Sequence, residues 1–244
     1  YTYQKTPEGE PVLKFETREA AEKHFIQTHA EQLITLTDEA VVIGNISGAS
    51  TQHAVNLAMS VGESGLDGIA ATPPYYYPNA RDEILDHFRY ISDKVGPPLW
   101  VYNFPQMVKT AVAPGTLATL ASAGAVVGVK DSSGAGEIFS ELNILCDQGG
   151  IDLMRFLGTL FRITTASSLG AHGVIPGIAN LVPQVSVRGW EAGEAGDLET
   201  VRESDAKLLV AAKVMRLSKG GGANAASLSG MKSALKLMGV IDQD

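Results

Sequence analysis

Near-continuous apolar runs that alternate with amphipathic ones constrain this chain more than any other feature. "AVVIGNIS" (40–47), "PLWVYNFP" (98–105), "AVVGVKDSS" (125–133), "DLMRFLG" (152–158) and "AHGVIPGIAN" (171–180) each read as a strand, and "LDGIAATPPYYYP" (66–78) as a strand and a loop. Helix-like stretches separate them: 51–63, 80–95, 114–124 with Pro114 near its start, 136–148, 161–170 stopped by Gly170, and 181–196. A further helix is expected over about 17–36, and two long ones close the chain over about 196–217 and 225–239. Strands apolar on both faces and spaced by helices imply a parallel sheet covered by helices. Two architectures satisfy this. A closed (β/α)8 barrel needs eight strands, so two would precede Tyr1; an open doubly wound sheet of six strands needs none.

The chain has 244 residues, 45% hydrophobic, which is enough for a full-size core. No linker interrupts the alternation, so one domain is expected, its βα units running to about 195 and the closing helices, 196–244, packed on it. A net charge of −8 lacks the basic excess of a nucleic-acid binder. No apolar run approaches the roughly 18–20 residues that cross a membrane. The single cysteine, Cys146, excludes an internal disulfide and fits a cytoplasmic location. His24, His29, His53, His87 and His172 are scattered without metal-ligand spacing, so all five read as structural; no metal and no cofactor are expected. The chain opens at Tyr1, not Met, with no signal peptide, and reads as trimmed at its start.

In a parallel α/β protein the chemistry sits at the carboxyl ends of the strands. The polar residues there include Asn45, Ser47, Tyr75, Tyr76, Tyr102, Asn103, Lys130, Asp131, Gly158, Thr159 and Asn180, and Lys130 is the one lysine among them. A free lysine titrates near about 10.4, so only about one in a few thousand is neutral at pH 7. An amine at the mouth of an apolar cavity is desolvated, which lowers that pKa and raises the neutral fraction. Neutral amine is the form that attacks a carbonyl to make a Schiff base. A tyrosine such as Tyr102 can relay protons as that adduct forms and breaks. On position alone, a salt-bridged or phosphate-binding role for a strand-end lysine remains the commoner alternative.

"TPPYYYP", "VYNFP", "VVGVKDSSG" and "GAHGVIPGIANLVP" succeed one another in an order and at separations that resemble the dihydrodipicolinate synthase and N-acetylneuraminate lyase family of pyruvate-dependent class I aldolases. The resemblance runs from about Val41 to the C-terminus. It implies a (β/α)8 TIM barrel with extra C-terminal helices, lacking its first two strands in the chain as given, and a homotetramer built as a dimer of dimers. It implies that Lys130 forms the Schiff base with a 2-keto acid and that Tyr102 is the proton relay. Tyr76 matches a tyrosine that reaches across the tight dimer, and Ile175 a backbone position beside the pyruvate carboxylate and methyl.

Three departures narrow the substrate. The Gly-Thr-Thr-Gly-Glu stretch that binds the keto-acid carboxylate is absent. Met107 stands where the synthases place an arginine for a dicarboxylic aldehyde partner, so an acidic partner would react poorly unless Arg155 or Arg162 serves it. Thr159 stands where sialic acid lyases place acidic residues for the polyol. The expected activity is therefore a pyruvate-yielding cleavage, condensation or dehydration of a 2-keto-3-deoxy sugar acid or 4-hydroxy-2-oxo acid. The alternatives are dihydrodipicolinate synthase or an inactive, small-molecule-binding member of the family.

Overall fold

The protein's structure, a computed structural model, describes residues 41–62 and 64–242. The helix expected over 17–36, with His24 and His29, lies outside them. The described residues form two compact units, one running to Val112 with Thr119–Val127 added, the other comprising Ala113–Ala118 and everything from Gly128.

In the first unit β1 (Ile43–Asn45), β2 (Gly68–Ala71) and β3 (Leu99–Asn103) pair in parallel in chain order. Helices α1 (Thr51–Val61) and α2 (Arg81–Lys94) connect them. Ser50 caps α1 by accepting a hydrogen bond from the His53 N–H. Helix α2 carries Asp82 and Glu83 in its first turn and Lys94 in its last, which suits the helix dipole. It buries Ile84, Leu85, Phe88 and Ile91 on one stripe. The short helix α3 (Pro105–Val108) comes next in this unit, and α4 (Pro114–Ser122) follows in the chain, its residues divided between the two units.

His87, 3% exposed on α2, holds this unit's loops together. Its Nε2–H donates to the Thr72 carbonyl at 3.2 Å, so in the neutral ring Nδ1 accepts from the Thr51 hydroxyl at 2.8 Å. Thr72 in turn donates its N–H to Ser47 Oγ. Burial pushes the imidazole pKa down to about 4, against a smaller opposing effect of the Thr72 hydrogen bond. A lowered histidine pKa means that the fold holds the neutral ring, while the unfolded chain takes up a proton near pH 6.5. His87 therefore contributes its full stability above about 6.5 and loses it as pH falls towards about 4, a change of about 3 kcal/mol. Urea midpoints measured from pH 7.5 to 4 should fall more steeply in the unaltered protein than in His87→Gln, which keeps an amide for Thr72 but does not titrate. Parallel curves would show that His87 ionisation is not coupled to folding.

In the second unit β4 (Gly128–Asp131), β5 (Met154–Leu157) and β6 (Gly173–Val174) are parallel, with Lys130 opposite Phe156 and Leu157 opposite Val174. Helices α5 (Gly136–Gly149), α6 (Pro183–Ala195), α7 (Leu198–Ala212) and α8 (Ala223–Leu237) complete it. Phe139, Leu157 and Ala166 form one core cluster, and Ile163, Ile178, Leu181 and Leu208 another, with Trp190 packed against both. Among the described residues no helix is long and apolar enough to cross a membrane.

The strands and most helices lie where the sequence places them, with shorter strands. The helix expected over 161–170 is instead two 3-10 turns, Leu160–Arg162 and Ser167–Leu169. The reason is local: Ile163, Thr164, Thr165, Ser167 and Ser168 are weak helix formers. Ser168 Oγ also bonds back to the Thr165 carbonyl, and Thr164 Oγ1 bonds out to Asp205. Gly170, at φ 80°, closes the segment as expected. The strand expected over 171–180 is two residues long, and Gly177–Asn180 is a 3-10 turn.

Candidate active site

Lys130 is the penultimate residue of β4, after the fully buried Val129. Alternation along the strand sends Val129 and Asp131 to one face, Lys130 and Ser132 to the other. Asp131, 3% exposed, is spent on the loop: its carboxylate accepts from Ser133 Oγ at 2.8 Å, and Ser133 Oγ accepts from the Ala135 N–H. Lys130 and Ser132 meet over β5's end. The point where a Cβ would stand on Gly158 is 2.0 Å from Ser132 Oγ and 3.0 Å from Lys130 Cε. The Gly158 N–H donates to the Asp131 carbonyl at 2.8 Å, which fixes this close approach.

Phe156 shares Lys130's face through the strand register, and its ring lies across Gly173 of β6. An amine stem packed between glycine backbone and an aromatic neighbour loses water. Burial lowers the Lys130 pKa from its ordinary value, and it is the cause of that shift.

Gly158 is legible in the sequence as a strand-end residue, but its contact with Lys130 is not. Ser132 escapes sequence reasoning as a site residue altogether; the signal available is its period-two spacing from the lysine. Gly158→Ala should drive Ser132 and the lysine stem apart. We expect a loss of about 1–3 kcal/mol in folding stability from overpacking, with slower carbonyl addition at Lys130. Ser132→Gly in the same chain should restore part of both. Thermal melts and adduct-formation rates check this, and an unaffected adduct rate in Gly158→Ala would contradict the packing described.

Thr159, next after Gly158, has a buried Oγ1 with no hydrogen-bond partner. The Ile175 N–H is committed to the Leu157 carbonyl at 2.8 Å, so Ile175 can present its carbonyl or side chain to a ligand but not its amide proton. In the first unit, Tyr102 on β3 stacks on Phe104 with ring centroids 5.4 Å apart, and Asn103 Oδ1 accepts from the Val112 N–H, holding the loop between them. Met107 on α3 is half-exposed. Tyr76 is 75% exposed and meets Tyr77 edge to face.

Arg162 lies in the 3-10 turn after β5, not in a first helical turn. Arg155 points the other way from Lys130. It is opposite Val129 in the register and pairs with Asp147 of α5 at 3.4 Å.

These features define the class: a parallel α/β protein with a desolvated lysine at a strand's carboxyl end. More particularly, the chain belongs to the dihydrodipicolinate synthetase family, whose sequence profile matches residues 16–244. It is 31% identical over 207 residues to a 4-hydroxy-tetrahydrodipicolinate synthase from Desulfotalea psychrophila, covering 85% of this chain and 66% of that protein. To the synthase of the same name from Caldicellulosiruptor bescii it is 33% identical over 174 residues, covering 71% and 58%. The chain thus spans less than two thirds of the length of either relative.

The fold matches the dihydrodipicolinate synthase structure from Bacteroides thetaiotaomicron with a TM-score of 0.81 at 26% identity, over 89% of this chain and 72% of that one. It also matches, with a TM-score of 0.79 at 22% identity over 90% and 72%, a prophage protein of the dihydrodipicolinic acid synthase family from E. coli K12 solved in complex with pyruvate. The fold class is therefore the TIM barrel expected from the sequence resemblance, and the open doubly wound sheet is set aside.

Proposed function

We propose that the protein is a class I lyase or aldolase in which Lys130 forms a Schiff base with a 2-keto acid. The observation that carries this is the Lys130 amine, desolvated at the carboxyl end of β4 and packed with Ser132 over Gly158. Neutral Nζ adds to the C2 carbonyl, and the carbinolamine loses water to give the imine. In the cleavage direction the 4-hydroxyl gives up its proton, and the C3–C4 bond breaks with its electrons entering the enamine. An aldehyde leaves. Protonation at C3 and hydrolysis of the imine then release pyruvate and the free lysine. We assign the proton relay to Tyr102, as the family resemblance implies. Tyr76, exposed on its own unit, is proposed to act towards a second copy in a homo-oligomer. Ile175, Met107 and Thr159 are proposed to border the substrate, and the protein is proposed to work in the cytoplasm.

The substrate class favoured is a 2-keto-3-deoxy sugar acid or 4-hydroxy-2-oxo acid. The names of the relatives favour a second reading, dihydrodipicolinate synthase, against which Met107 stands. Borohydride reduction in the presence of pyruvate tests the Schiff base. Turnover of a panel of 2-keto acids then separates an enzyme from a protein that only binds them.

A further inference from the structure

Two groups on the loop after β5 are not accounted for by a Schiff-base lysine alone. Thr159 Oγ1 is buried without a partner, and such a group in a folded protein calls for an explanation. Three residues on, the partly buried Arg162 lays its guanidinium against Gly136, the first residue of α5. The place of a Cβ on Gly136 is 2.9 Å from Nη2 and 3.1 Å from both Nη1 and Cζ. Arg155–Asp147 and Arg188–Glu203 are ion pairs of this unit, and among the described residues no carboxylate pairs with Arg162. Glu137, the acidic residue in the first turn of α5, is exposed. The positive end of α5 does not neutralise the guanidinium either.

The position matters as much as the charge. The turn Leu160–Arg162 begins two residues after Gly158, which touches the Lys130 stem. The start of α5 and this turn are both at the carboxyl ends of their strands, the face onto which Lys130 opens. Arg155, the other cation near in sequence, is on the opposite face of β5 and engaged by Asp147. Met107 offers a thioether, which cannot pair with a carboxylate.

Resting on the Schiff-base reading above, we infer that Arg162 is the specificity residue for the second substrate. It holds a carboxylate at the far end of the aldehyde, or at the far end of a 4-hydroxy-2-oxo diacid in the cleavage direction, which selects the 4-hydroxy-2-oxo acids from the two classes proposed above, and the Thr159 hydroxyl donates to the same group or its neighbour. The guanidinium presents two parallel N–H groups to one carboxylate, a geometry that an ammonium cannot copy.

The test uses the full-length protein, pyruvate and two aldehydes that differ only at the far end: succinic semialdehyde, with a carboxylate, and butyraldehyde, with a methyl. The unaltered protein should condense pyruvate faster with the acid. In Arg162→Leu, kcat/KM for succinic semialdehyde should fall about 10- to 100-fold, the loss of one or two charged hydrogen bonds. Butyraldehyde should change little, and Arg162→Lys should recover only part of the loss. The borohydride-trapped pyruvate adduct on Lys130 should be the same in all three proteins. If that adduct is missing from the unaltered protein, the Schiff-base reading fails and the inference falls with it. If the adduct forms but the two aldehydes react equally, or both fall alike in Arg162→Leu, the inference alone is overturned.

Discussion

Lys130→Arg should abolish the pyruvate adduct. In the unaltered protein, borohydride reduction with pyruvate should add one pyruvyl-derived mass to the peptide that contains Lys130, and the variant should add none. The physical reason is protonation. The lysine amine is desolvated on β4, and each unit by which its pKa falls recovers about tenfold in neutral nucleophile. A guanidinium stays charged at every pH the fold survives and has no lone pair to give. Arginine keeps a cation on a similar stem, so the fold should survive, with a lowered melting temperature because the guanidinium cannot shed its charge where burial disfavours it; circular dichroism with a thermal melt separates lost chemistry from lost fold. A reducible adduct in the variant would place the nucleophile elsewhere. An unaltered protein that forms the adduct but turns over no 2-keto acid would be a binding protein that has kept the pocket.

The strands and the lysine are legible in the sequence because both arise from local pattern. An apolar run such as "AVVGV" has few fates other than a buried strand, and a lysine at its end must point somewhere polar. The partners of that lysine are not legible in the same way. Ser132 and Gly158 meet because β4 pairs with β5 in a register that puts Lys130 opposite Phe156, and register is a long-range property. Arg155, within an expected strand, and Arg162, at the start of an expected helix, stand in the sequence as equal candidates for an acidic partner. One residue of alternation, set by that same register, turns Arg155 towards Asp147 of α5, while the 3-10 turn carries Arg162 round to Gly136. The segment 161–170 misleads for the converse reason. Its apolar spacing suggests a helix, but its hydroxyl side chains bond to Asp205 and to the local backbone.

Tyr102→Phe should slow turnover by about 10²- to 10⁴-fold, the range for a positioned acid–base group. Tyr102 lies on β3 between two fully buried residues, Val101 and Asn103, and its ring stacks on Phe104. Phenylalanine preserves the ring, the stacking and the Asn103–Val112 hydrogen bond that holds the following loop. The substitution removes one exchangeable proton. Imine formation and hydrolysis each need protons delivered to and taken from the carbinolamine oxygen, and C–C cleavage needs the 4-hydroxyl proton removed. Loss of a relay should therefore depress kcat while leaving the KM for pyruvate within a few-fold. Time-resolved borohydride trapping adds a second readout: the adduct should still accumulate on Lys130, but at a rate slowed in proportion to kcat. Melting temperatures of the two proteins should agree closely, because the substitution leaves the packing in place. A kcat within about threefold of the unaltered protein, far below the range of an acid–base group, would remove Tyr102 from the proton path and leave another donor to be found.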